Sequence, residues 1–253
     1  MTASSQPALE TRGLVRRFGG LVATNDVSLC IGQGARHALI GPNGAGKTTL
    51  INLMTGVLQP TAGSIHLEGQ DITALAPHRR VARGLARTFQ INQLFADLTP
   101  LETVGLAISE HQGHGTEWWR LTGSKQSVLD EAEALLTRFK LADVMLERTS
   151  TLPYGKRRLL EIATALACSP RVLLLDEPAA GVPEGERGDI IDIVSSLPRE
   201  VTIVLIEHDM DLVFRFAERI TVLVQGAVFT EGTVAEIQAD PRVRAVYLGE
   251  GEP

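Results

Sequence analysis

The chain has 253 residues, 44% of them hydrophobic, and a formal net charge of −6. This suits one large α/β domain or two small ones, and the acidic balance argues against a broad nucleic-acid surface, so no nucleic-acid partner is expected. No apolar run approaches the ~20 residues that cross a bilayer, Met1–Pro7 holds no signal-peptide core, and Cys30 and Cys168 stand at no metal or redox spacing, reading as small core residues of a reducing, cytoplasmic compartment.

Segments 11–17, 21–31 and 35–40 read as strands that open the fold. Next come Gly41, Pro42, Asn43, Gly44, Ala45, Gly46, Lys47, Thr48 and Thr49, which match G-x-x-x-x-G-K-[ST], a phosphate-binding loop. The apolar run Ala38–Ile40 precedes it as a buried strand, and a helix over Thr48–Thr55 follows. Glycines 41, 44 and 46 allow a tight turn whose N–H groups face phosphate oxygens. The positive end of the helix adds to this field. Lys47 can bridge the terminal phosphates of a nucleotide, and Thr48 can bind Mg²⁺.

Ser64–Leu67 and Ala86–Phe89 read as short strands. Arg79, Arg80, Arg83 and Arg87 form a basic cluster, expected to be a solvated helix face, with contact to anionic lipid or a partner as the alternative. Gln90 follows, a neutral amide able to ligate Mg²⁺ or water. A more helical, more polar region covers about 91–165, with helical spacing over Leu101–Ser109 and Val128–Phe139. Between these, 111–127 with Trp118 and Trp119 reads as a variable insertion. Leu152–Arg158 opens a further helix: Pro153 suits a helix start, and Gly155 leaves backbone N–H groups open to a ligand.

Val172–Asp176 is an apolar strand that ends in an acid and is followed by Glu177. Asp176 can hold the Mg²⁺ shell, and Glu177 is placed to polarise an attacking water. Glu184–Leu197 reads as a helix, Val201–Ile206 as a strand, Asp209–Ala217 as a helix, and Ile220–Val224 with Ala227–Thr230 as a hairpin turning at Gln225-Gly226. Two short helices end the chain. This alternation implies a mostly parallel sheet covered by helices, with the helical middle inserted into it. In such a sheet ligands gather at the carboxyl ends of strands. Asp176, Glu177, Gln90 and His208 are therefore expected to converge on 41–49.

Together these residues resemble the ATP-binding subunit of an ABC transporter, over nearly the whole chain. In the family's order stand an aromatic before the second strand (Phe18), Walker A (Gly41–Thr49), the Q-loop (Gln90), the signature motif (Leu152–Lys156), Walker B (Leu173–Asp176) with its glutamate Glu177, the D-loop (Ala179–Pro183) and the switch histidine His208. Within the family the chain is most similar to importer ATPases for branched-chain amino acids. The similarity lies in Ala86–Gln90, Leu152–Gly155, Asp176–Gly181, Ile206–Met210 and Val246–Gly249. The insertion around Trp118 matches the longer of that branch's two ATPase subunits. Related ATPases serve urea, other amides and other hydrophobic acids. These remain alternatives, as does a non-transport ABC ATPase.

The resemblance implies one ABC-type domain, α/β in class: a RecA-like P-loop NTPase core (about 1–90 and 166–253) with N-terminal antiparallel strands and an inserted α-helical subdomain (about 91–165). It implies that Phe18 stacks on adenine and that residues 41–49 hold the phosphates. Thr48, Gln90 and Asp176 position Mg²⁺, Glu177 orients the water, and His208 contacts the γ-phosphate. It implies a second ATPase subunit, a homodimer or a shorter sister, whose nucleotide meets Tyr154, Gly155 and Lys156 of this one. It also implies permease subunits that hold the chain at the inner face of the membrane, and a solute-binding protein reached indirectly. Ile91, Leu94 and Phe95 are candidates for the permease groove or, equally, for core. Two departures stand out. Pro153 replaces the signature serine, leaving the opposite phosphate to Gly155, the helix end or Lys156. Pro183 replaces the D-loop aspartate.

Overall fold

The computed structural model describes residues 6–88, 94–113 and 124–248, with side chains described over 126–246 of the last segment. Its strands are β1 (Leu9–Phe18), β2 (Leu21–Ile31), β3 (Arg36–Ile40), β4 (Ala62–Leu67), β5 (Gln70–Asp71), β6 (Leu85–Arg87), β7 (Val172–Asp176), β8 (Thr202–Ile206), β9 (Arg219–Val224) and β10 (Ala227–Thr233). Its helices are α1 (Lys47–Met54), α2 (Pro77–Ala82), α3 (Pro100–His111), α4 (Ser124–Arg138), α5 (Tyr154–Ala167), α6 (Glu184–Ser195), α7 (Met210–Phe216), α8 (Val234–Ala239) and α9 (Pro241–Leu248).

Two sheets form. The first is antiparallel, in the order β2-β1-β4-β5. The second runs β10-β9-β3-β8-β7-β6, parallel throughout except for β10, which returns antiparallel to β9. β3 and β8 are buried at every position, and β7 up to Asp176. Alternate residues of these strands serve opposite faces. Leu173, Leu175, Ile203 and Leu205 join a core shared with α3, α4, α5 and α6. Val172, Leu174, Val204, Ile206 and Leu39 join another, shared with α1 and the antiparallel sheet. Unbroken apolar strands are what two covered faces require.

The local start signals are visible. Thr99 and Glu102 form a reciprocal capping box on α3, and Thr233 and Glu236 do the same for α8. Pro153 and Pro183 stand at the N-caps of α5 and α6 with no side-chain capping bond.

Three expectations are corrected. Cys30 is exposed on the sheet edge rather than in the core. Arg80 is fully buried, not part of a solvated face. It donates to Leu53 O and Met54 O at 2.7 Å, to Thr73 O at 2.7 Å and to Leu75 O at 2.9 Å. It thus satisfies the last carbonyls of α1, which a helix end leaves open. Arg87 is also mostly buried, in an ion pair taken up below.

Candidate active site

The phosphate loop joins β3 to α1 at the carboxyl edge of the parallel sheet. A side chain on Gly46, whose φ is 96°, would begin 2.5 Å from Ala23 O of β2. Gly44, with φ 79°, faces open space with nothing within 4 Å of an added Cβ. The loop is therefore packed against protein on one side and clear on the other. α1 begins behind it with no side-chain cap on its first N–H groups, a ready site for an anion. The turn between β9 and β10 buttresses the loop: Gly226 N donates to Ala45 O at 3.0 Å, and Asn25 N donates to Gly226 O at 2.7 Å.

Lys47 folds back over the loop, its Nζ donating to Gly41 O at 2.6 Å and Pro42 O at 3.1 Å. Burial pulls its pKa down, while the charges of Glu177 and Asp176 oppose that shift. A phosphate arriving here replaces two carbonyls with a charged acceptor. Thr48 is exposed and its hydroxyl has no hydrogen-bond partner among the described residues; Thr49 is half-buried.

Asp176 ends β7 beside Ile206 of β8. Glu177 follows with φ 46°, a left-handed conformation that costs a non-glycine residue roughly 1–3 kcal/mol and clusters at functional sites. Two bonds enforce it: Glu177 N donates to Ile206 O at 2.9 Å, and Ala180 N donates to Glu177 O at 3.0 Å. The Glu177 carboxylate then lies 3.7 Å from His208 Nδ1. Between them, at the backbone, sits Glu207, 1% exposed. Its carboxylate accepts from Ala179 N at 3.2 Å and His208 N at 3.3 Å, and burial raises its pKa. Asp209 caps α7 immediately after.

Phe18 ends β1, 43% exposed, with the Arg16 guanidinium 4.6 Å from its ring centre. The signature segment lies elsewhere in the chain. Tyr154 packs on the D-loop, where a methyl on Gly181 would fall 2.8 Å from its hydroxyl. One on Gly155 would fall 2.7 Å from Glu186 Oε2. Among the described residues this segment makes no hydrogen bond or ion pair with 41–49. Lys156 is committed inside its own chain, donating to Lys140 O at 2.5 Å and Asp143 Oδ1 at 2.8 Å. Its ammonium is thus engaged within its own subunit. Gln90 and Ile91 lie outside the described residues.

The structure thus brings Lys47, Thr48, Asp176, Glu177 and His208 to one sheet edge. Sequence reasoning missed Gly226, Asn52 and the structural part of Glu207. Only Glu207 carried a signal, as an acid at the end of an apolar strand.

A loop clear on one side for phosphate, facing a strand that ends in two acids, defines a nucleotide-binding ATPase of the P-loop class. The comparisons with known proteins resolve the class further. Residues 24–180 match the family model described as ABC transporter, and residues 227–253 match that of the branched-chain amino acid ATP-binding cassette transporter. The chain belongs to the ATP-binding cassette family of ABC transporters. It is 40% identical over 257 residues to the high-affinity branched-chain amino acid transport ATP-binding protein BraF of Pseudomonas aeruginosa, covering 97% of this chain and 99% of that one. It is 40% identical over 256 residues to its counterpart LivG of Escherichia coli, with the same coverage. A solved ATP-binding cassette of an ABC transporter in its ADP conformation superposes with a TM-score of 0.84 at 31% identity, covering 96% of this chain and 99% of that one. A nucleotide-free cassette gives 0.82 at 30% identity, covering 96% and 100%.

Proposed function

We propose that the chain is the ATP-hydrolysing subunit of an importer for branched-chain or related hydrophobic amino acids. The observation that carries this is end-to-end likeness, at 40% identity, to proteins named for that transport, joined by the match at 227–253.

In this reading Lys47 and the backbone N–H groups of the loop, which Pro42 lacks, hold the phosphates, and Phe18 stacks on the base. Glu177 takes the proton of the attacking water, with His208 setting the carboxylate's direction and meeting the γ-phosphate. The residues present fit Mg²⁺ held mainly by nucleotide. Thr48 offers an unpartnered hydroxyl, Asp176 one oxygen without a hydrogen bond, and no cluster of three or more metal-ligating side chains stands among the described residues. That is the sparse protein set Mg²⁺ takes when phosphates supply the rest. When bound, Mg²⁺ neutralises phosphate charge; Gln90 is proposed to join its shell.

The γ-phosphate side is proposed to be closed by the α5 N-terminus of a second ATPase subunit. Gly155 and the first amides of α5 do this work, Lys156 being otherwise held. Permease subunits are proposed to seat around Phe95, which is 63% exposed. The groove of about 190 Å³ beside Leu94 is walled by apolar residues such as Val81, Ala86 and Ala165 and also by the charged Arg87 and Glu161. Leu94 packs partly into the core. Such seating places the chain at the inner face of the membrane.

The test is uptake. A strain deleted for this chain should regain labelled leucine import when the chain is returned, but not with Glu177→Gln. Restored uptake of urea, and not of leucine, would assign the alternative.

A further inference from the structure

Arg87 ends β6, pairing with Leu174 of the parallel strand β7. Asp176 lies two residues beyond Leu174, on the same face of the sheet. The two side chains meet: Arg87 Nη2 donates to Asp176 Oδ2 at 2.7 Å. Its other arm, Nη1, donates to Asn52 Oδ1 of α1 at 2.8 Å. Arg87 Nε is buried without a partner, so two bonds hold a guanidinium that is otherwise expensive to bury. Asp176 N also donates to Thr88 Oγ1, at 3.4 Å.

The consequences are specific. Asn52 stands five residues after Lys47 and four after Thr48 on the same short helix. One guanidinium therefore ties the helix that presents Lys47 and Thr48 to the strand that presents Asp176. It occupies Oδ2 and leaves Oδ1 free of hydrogen bonds among the described residues.

We infer that Arg87 is a positioning residue for the metal side of this site. It fixes the Asp176 carboxylate, through a bridge to Asn52, so that one oxygen faces a nucleotide-bound divalent cation. This rests on reading the site as one for magnesium–ATP. Partners that orient a metal-side carboxylate are worth about 10–100-fold in metal affinity when removed.

The test measures ATP binding by the full chain by calorimetry, across a Mg²⁺ titration and in EDTA, for the parent, Arg87→Met and Arg87→Lys. Arg87→Met should raise the Mg²⁺ concentration at half-effect by about tenfold or more and leave ATP binding in EDTA near the parent's, with Arg87→Lys recovering part of the shift. Arg87→Met with the parent's Mg²⁺ dependence overturns the inference, and so does equal loss with and without Mg²⁺. If Arg87→Met does not fold, Asn52→Leu is read in its place: a smaller shift in the same direction supports the bridge, and none overturns it. A parent whose ATP binding ignores Mg²⁺ refutes the magnesium–ATP reading itself.

Discussion

His208 holds its Nδ1 3.7 Å from the Glu177 carboxylate, across the ends of two neighbouring strands and 31 positions apart in sequence. That spacing leaves the carboxylate directed rather than locked, which suits the base proposed above, since it must receive a water. Replacing Glu177 with Gln keeps the shape and removes the proton acceptor. Phosphate release should fall by about 10²-fold or more, the usual worth of a positioned base. ATP affinity by calorimetry should be unchanged, and an ATP-bound dimer should accumulate on sizing. Turnover at the parent rate would remove Glu177 from the role.

Gly226 supports the phosphate loop from outside the motif. Its φ is 79°, and a methyl there would begin 2.7 Å from Ala23 O. Gly226→Ala must move the β9–β10 turn, and with it the bond to Ala45 O. The strain alone is worth about 1–3 kcal/mol. The melting temperature should drop and ATP affinity should weaken although no nucleotide contact is altered. A variant that melts and binds like the parent would show the turn to be a bystander.

Glu207 gives a pH signature. Burial raises its folded-state pKa above the ordinary carboxylate value. Its ionisation therefore opposes folding: stability is fully present below the unfolded pKa and is lost as pH rises through the raised one. Glu207→Gln cannot ionise. Its melting temperature relative to the parent should climb from pH 4 to pH 8, starting at or below zero because one amide acceptor is lost. A difference that stays flat across this range contradicts the assignment.

Lys156 tests how the signature segment meets a partner's phosphate. Its hydrogen bond holds the Asp143 carboxyl below its usual pKa. Lys156→Ala should leave ATP-driven dimerisation intact on sizing. The cost should be a modest loss of thermal stability at neutral pH. That loss should fade as pH falls through the depressed Asp143 pKa, because protonation ends the pairing in the parent as well. Loss of the dimer instead would return Lys156 to the partner's phosphate.

Much of the site was legible because its chemistry is local. Nine contiguous residues make the phosphate loop, and their pattern can be read without knowing the sheet around them. The strand over Val172–Asp176 announces itself by being apolar throughout and then acidic, since a strand covered on both faces leaves only its end for chemistry. The helical spacing over Leu101–Ser109 and Val128–Phe139 announces α3 and α4. The two-residue β5 left no such mark, being too brief to show a period.

What stayed hidden is what depends on which strands become neighbours. Arg79, Arg80, Arg83 and Arg87 look alike in the chain, yet Arg80 closes the end of α1 and Arg87 meets Asp176, 89 positions away. Lys156 looks like a free cation until Asp143 and Lys140 are found beside it. Gly226 reads as an ordinary hairpin glycine, and only the sheet order β10-β9-β3 brings it under Ala45. Backbone turns and covalent spacing are short-range and can be read residue by residue. The partner of a buried charge is chosen by packing across the sheet, where distance along the chain carries no information.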